Sequence, residues 1–196
     1  MMRRRDLPWL LSLPFVAGCA VSRSELPPTA PLLAPGLLLA LPQPGEIGRD
    51  LRAYQLVTLR YGDTSFVFES HIQIVDNRFI LLIVDTLGRR ALQLDWTGMD
   101  VIAQPAAWLP DILRPGSMLA DIVALHWPEA SLRRALAASG AALIDLPGQR
   151  QVILAGRVIA EARYDFAPAQ RWTGTAQYAN QAWGYSLRIE SKEIGV

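Results

Sequence analysis

The chain has 196 residues, 51% of them hydrophobic and only 19% charged, enough apolar material for the core of one ordinary domain and too much for a disordered segment. The formal net charge is +1, and 18 of the 19 basic residues are arginines spread along the sequence, so no basic stripe marks a nucleic-acid partner. Cys19 is the single cysteine, which excludes a disulfide within the chain.

Arg3, Arg4 and Arg5 precede an apolar run from Leu7 to Val16. That is the pattern of a secretory signal and is far short of the roughly 20 residues that span a bilayer. The run ends in Val16-Ala17-Gly18-Cys19, which resembles the lipobox of bacterial lipoproteins. The resemblance implies cleavage after residue 18 and lipidation of Cys19, which becomes the new N-terminus. Two acyl chains on the thiol and a third on the amine hold a membrane far better than one. Residue 20 is Ala rather than Asp, which by the sorting rules of such proteins favours the outer membrane, facing the periplasm. Removing the signal removes three Arg and one Asp, so the mature side-chain charge is +1 less +2, or −1.

From Ala20 to Gly36 the chain contains Pro27, Pro28, Pro31 and Pro35, which forbid a helix. Residues 19–36 are therefore expected to be an extended tether, reaching roughly 50 Å at ~3.1 Å per residue. Residues 37–196 are expected to form one domain, with Leu37–Leu41 either a short strand or more tether. Leu51, Ala53, Val57, Leu59 and Tyr61 share one face of a long strand, which Gly62-Asp63 turns into a meander. Within it Phe66, Phe68, Ile72 and Ile74 alternate with Glu69, His71 and Gln73, the period of a half-buried strand. After Asp76-Asn77 the run Arg78–Thr86 is apolar on both faces, which predicts a central strand covered on each side. Leu87-Gly88 reverses the chain into a strand with Leu92, Leu94 and Trp96 on one face, and Thr97-Gly98 into Met99–Gln104. A loop follows that contains Pro105, Pro110 and Pro115 together with the apolar Trp108, Leu109, Ile112 and Leu113.

Ser117 can cap a helix from Met118 to about His126, whose greasy face is Met118, Leu119, Ile122 and Val123. Pro128 suits the first turn of a second helix, with Leu132, Ala135 and Leu136 inward and Ser139-Gly140 as its stop. This insert, 117–140, is followed by strands at Leu143–Leu146, Gln151–Leu154 and Val158–Tyr164, and by one carrying Trp183, Tyr185, Leu187 and Ile189. The fold class this predicts is α+β, mainly β: an antiparallel sheet with one face covered by a short helical lid.

The lipobox, the proline tether, the Thr86-Leu87-Gly88 turn, the segment from Leu119-Ala120-Asp121 to Leu125-His126-Trp127-Pro128, and the closing Gly184–Glu190 strand together resemble a family of bacterial outer-membrane lipoproteins of unknown function. That family occurs with genes for aryl-polyene or fatty-acid-like synthesis and is similar to LolA and LolB, the lipoprotein carrier and its outer-membrane receptor. The resemblance implies a curved sheet forming an incomplete barrel, lidded by helices, with a cavity for acyl chains, and it admits a periplasmic carrier protein as a partner. On that reading Phe66, Phe68, Ile72, Leu92, Leu94 and Trp96 from the sheet and Met118, Leu119, Ile122 and Val123 from the lid would line the ligand site. Leu87 would project as a membrane tip, as in the Pro-Leu-Gly turn of LolB-like receptors, although Thr86 here replaces the proline. A hydrophobic ligand would favour a cavity of a few hundred Å³. A structural lipoprotein docking an envelope partner, with contacts around Trp108, would show a filled core instead.

Catalysis has little support. His71 and His126 have no metal-ligand spacing, no GxSxG elbow or phosphate loop is present, and the one thiol is assigned to the anchor. No metal, cofactor or enzymatic activity is expected. His71, beside Glu69 and Gln73, reads as part of a solvated strand face, and His126 as a packing residue at a helix end.

Overall fold

The computed structural model describes residues 26–167 and 170–195. The expected signal segment, Cys19 and the first tether residues lie outside this range. Within it, the chain reaches the core earlier than its prolines suggest. Leu32–Ala34 and Leu37–Leu38 form a small antiparallel hairpin, β1 and β2. Leu33, Ala34, Leu37 and Leu39 are buried, so the tether predicted to run to Gly36 gives way to packed structure by Ala30. The prolines there shape a path across the core, and the apolar residues between them hold it down.

The alternating stretch that follows builds the long strands β3 (Leu51–Tyr61), β4 (Thr64–Val75), β5 (Arg78–Asp85), β6 (Arg90–Trp96) and β7 (Val101–Pro105). Asp76 and Asn77 both have positive φ, at 50° and 58°, the conformation of a type I′ hairpin turn, whose twist matches that of the strands it joins. After the helices come β8 (Ala142–Leu146), β9 (Gln149–Leu154), β10 (Arg157–Tyr164), β11 (Gly174–Asn180) and β12 (Tyr185–Ile194). All ten join one antiparallel sheet in the order β7-β6-β5-β4-β3-β12-β11-β10-β9-β8. The sheet curves but does not close, because β7 and β8 are not paired to each other. This is the expected incomplete barrel.

Several details of the sheet differ from the sequence reading. β5 is third from an edge, and the centre is held by β3 and β12. Only its Phe79, Leu81 and Ile83 face is buried; Ile80, Leu82 and Val84 are half-buried on the convex side, so a doubly apolar strand did not require a second cover. β11 also escaped notice, because its inward residues are Ala176, Tyr178 and Asn180, small or polar where an apolar alternation would show. Trp183, expected in the last strand, sits in the turn before it.

The helices α1 (Pro115–His126) and α2 (Glu129–Leu136) cross the concave face. α1 starts before Ser117: Pro115 takes the first position, where its fixed φ costs nothing, and extended Arg114 is the cap. Ser117 is buried and its hydroxyl has no partner among the described residues. Gly116 is required here, since a Cβ would lie 2.2 Å from the carbonyl oxygen of Ala30, and its N–H donates to Pro28 at 3.0 Å. At the other end the buried guanidinium of Arg150 caps α1, its Nη1 donating to the carbonyls of Ala124 at 3.0 Å and Trp127 at 2.9 Å. A cation there also complements the helix dipole. Arg150 is paired with Asp145. Burial pushes the Asp145 carboxyl up, but the hydrogen bond and charge of Arg150 outweigh it and hold the group low.

Candidate functional site

The barrel interior divides into a filled half and an open half. At the end marked by the Asp76-Asn77 turn, the rings of Phe79, Trp96 and Trp127 pack with centroids 5.5 to 6.1 Å apart. Trp127 is further tied by its indole N–H to the carbonyl of Gln43. Towards the Tyr61–Thr64 end the sheet and α1 separate and leave a partly enclosed cavity of about 70 Å³. Val57, Leu59, Phe68, Ile83, Leu187 and Ile189 line it from the sheet, and Met118, Ile122 and Leu125 from α1, with Leu113 at its outer end. Beyond Leu113 an open groove continues between Tyr61, Phe66, Ile112, Arg114 and Trp183.

Of the residues expected to line a ligand site, Phe68, Met118 and Ile122 meet in this cavity. Phe66 lines the outer groove instead. Ile72, Leu92, Leu94 and Trp96 are buried outside the cavity lining, and Leu119 and Val123 are packed at zero exposure. The reason lies in helix geometry: residues 118, 122 and 125 recur on one face, whereas 119 and 123 are turned about 100° away from it. Leu87 is 78% exposed. Its turn is held from within by Asp85, whose Oδ1 accepts from the N–H groups of Leu87 at 3.0 Å and Arg89 at 2.8 Å. The loop residue Trp108 lies beneath the Arg89 guanidinium, 4.9 Å away, at the same end of the sheet as Leu87 and the groove.

The sequence reading missed the polar groups of the cavity. Gln55, Ser70, Asp121, His126, Tyr178 and Tyr185 all reach its wall. Gln55 and Ser70 sit at inward positions of β3 and β4, so the strand period already pointed them inside. His126 stacks on Trp172 at 4.0 Å. Its Nδ1 is 2.8 Å from the carbonyl oxygen of Arg171 and must therefore carry the proton, which leaves Nε2 to accept from the Gln55 amide at 3.1 Å. Gln55 also donates to Ser191 Oγ at 2.9 Å. Burial, only partly offset by the Arg171 carbonyl, pulls the His126 pKa down to about 3, so the imidazole is neutral. Asp121 accepts from the hydroxyls of Tyr178 and Tyr185 and from the amide of Asn180 at 3.0 Å. Burial raises its pKa to about 6 against the opposing effect of those three donors. His71 is exposed on the convex side, edge-on to Tyr54 at 5.3 Å. No group of three or more His, Cys, Asp or Glu suited to a metal ion occurs among the described residues.

Residues 52–193 match the family described as protein of unknown function, DUF3261. The chain belongs to that family. No curated protein matches this DUF3261 chain. Among solved structures it is similar to a LolA superfamily protein from Nitrosomonas europaea, with 8% identity and a TM-score of 0.42 over 78% of this chain and 92% of the other. It is also similar to a DUF1329 family protein from Desulfovibrio piger, with 8% identity and a TM-score of 0.38 over 76% and 87% of the two chains.

Proposed function

We propose that this protein is an outer-membrane lipoprotein, anchored through Cys19 and facing the periplasm, that binds and hands on a hydrophobic ligand in the space between α1 and the sheet. The observation that carries the reading is the apolar cavity roofed by α1 and continued outward by an apolar groove. At about 70 Å³ the cavity is well below the ~300–1,000 Å³ of sites that enclose a drug-sized ligand. Loading an acyl chain therefore requires the space between α1 and the sheet to widen. The adaptor reading draws on the small cavity and on Met99 and Ile102, exposed at the β7 edge.

Native mass spectrometry of the protein solubilised from its own membrane tests both halves of the proposal. The expected result is a mature chain carrying a triacyl modification on residue 19, with a co-purifying lipid. Ile122→Trp, which fills the cavity, should lose that lipid with a modest fall in melting temperature. If the parent carries no lipid and Ile122→Trp costs the ~1–3 kcal/mol of an overpacked solid core, the adaptor reading stands instead.

A further inference from the structure

A charged group in an apolar cavity says more about a ligand than the apolar wall does. Asp121 is on the cavity face of α1, between Met118 and Leu125, and is almost fully buried. Its Oδ1 accepts from Tyr178 and Asn180, and its Oδ2 from Tyr185. All three donors are neutral, and none of the salt bridges among the described residues includes Asp121. Among the described residues no Lys or Arg lines the cavity, and His126 is uncharged there. The wall thus carries one negative charge and no positive one. A carboxylate offers about four acceptor sites, of which three are used, and the hydroxyl oxygens of the two tyrosines add acceptor capacity on the same wall. What is absent from the wall is a hydrogen-bond donor with positive charge. A ligand bringing a carboxylate would instead meet a like charge at low dielectric, a costly juxtaposition.

We propose that Asp121, Tyr178 and Tyr185 form a head-group site that selects an amphiphile with a cationic amine head over one with a carboxylate head. This rests on the carrier reading above: the cavity takes the head and the first methylenes, and the chain leaves past Met118 toward the groove. The test is equilibrium binding of n-octylamine, 1-octanol and octanoate by the full-length chain at neutral pH, read by titration calorimetry against a detergent blank. Octylamine should bind about tenfold or more tighter than octanoate, with octanol between. Asp121→Asn should collapse that order, whereas Val123→Ala, on α1 outside the cavity lining, should retain it. If octanoate binds the unaltered protein as tightly as octylamine, the head-group assignment is wrong and the carrier reading survives. An order lost equally in Val123→Ala would trace it to packing, which also overturns the assignment. Should none of the three bind and no lipid co-purify, the carrier reading falls and takes this one with it. The unaltered protein alone decides the main comparison, whatever the fate of the variants.

Discussion

Leu87 is the plainest exposed apolar residue at the groove end of the sheet, and its turn is built to present it. Gly88 supplies the positive φ of 74°, and Asp85 takes up two backbone N–H groups and the Arg89 side chain, so the reversal needs nothing from the leucine. Leu87→Glu should therefore change stability by less than about 0.5 kcal/mol, yet slow transfer of lipid from the protein to liposomes. Normal transfer by the variant would rule out a membrane-tip role, and unfolding would place Leu87 in the core. The residue scale is also where the sequence was hardest to read. Phe68, Met118 and Ile122 could be picked out because apolar residues on a strand or helix face announce themselves. Gln55, Asp121 and Tyr178 could not: each is a polar residue whose inward direction follows from the period, but whose partners come from elements 40 or more positions away.

At the scale of elements, the N-terminal strap shows how one glycine fixes a path. The strap donates no long strand to the sheet, yet it is held over α1 by the Gly116 N–H to Pro28 and by Asn180, whose amide donates to Leu33 at 3.0 Å. Gly116→Ala would drive a methyl into the Ala30 carbonyl. The expected cost is ~1–3 kcal/mol, as for other overpacked sites, together with faster proteolytic cleavage within residues 26–34. An unchanged melting temperature would mean that the strap is not pinned there. The meander β3–β7 and both helices were legible because their periods are long and clean. The strap and β11 were not, since one is masked by prolines and the other buries alanine, tyrosine and asparagine. The start of α1 was misplaced for a related reason: Ser117 has the chemistry of a cap, but Pro115 and the strap packing decide where the helix begins.

For the whole molecule, two buried groups in one cavity make opposite demands on acid stability. The folded pKa of Asp121 is raised to about 6 from an unfolded value of about 3.9. Its contribution is complete below about pH 4 and is lost as pH rises through about 6. The folded pKa of His126 is depressed to about 3 from about 6.5, so its contribution is complete above about pH 6.5 and is lost as pH falls toward 3. Between about pH 4 and 6 the two slopes oppose each other, and the parent protein should show a nearly flat melting temperature. Asp121→Asn leaves His126 unopposed, so the variant's melting temperature should fall steadily with acidification over the same range. Asp85 and Asp145, held low by Arg89 and Arg150 against the opposing effect of burial, act at the acid edge of that window, equally in parent and variant. Parallel pH profiles would refute the cancellation.

The carbonyl of Leu26 accepts from the Arg114 guanidinium at 3.3 Å, on the rim of the groove that Tyr61, Phe66 and Trp183 share. The described chain is thus moored at the same end of the molecule as Leu87. With Cys19 as the proposed anchor point, six residues lie between it and the mooring at Leu26, a span of at most about 25 Å of fully extended chain. That radius is half the stand-off implied by a tether running to Gly36. On the carrier reading proposed above, a protein held this close by its mouth would rock beside the bilayer rather than carry a cargo across the periplasm, receiving it from a mobile partner and delivering it to the leaflet that anchors it.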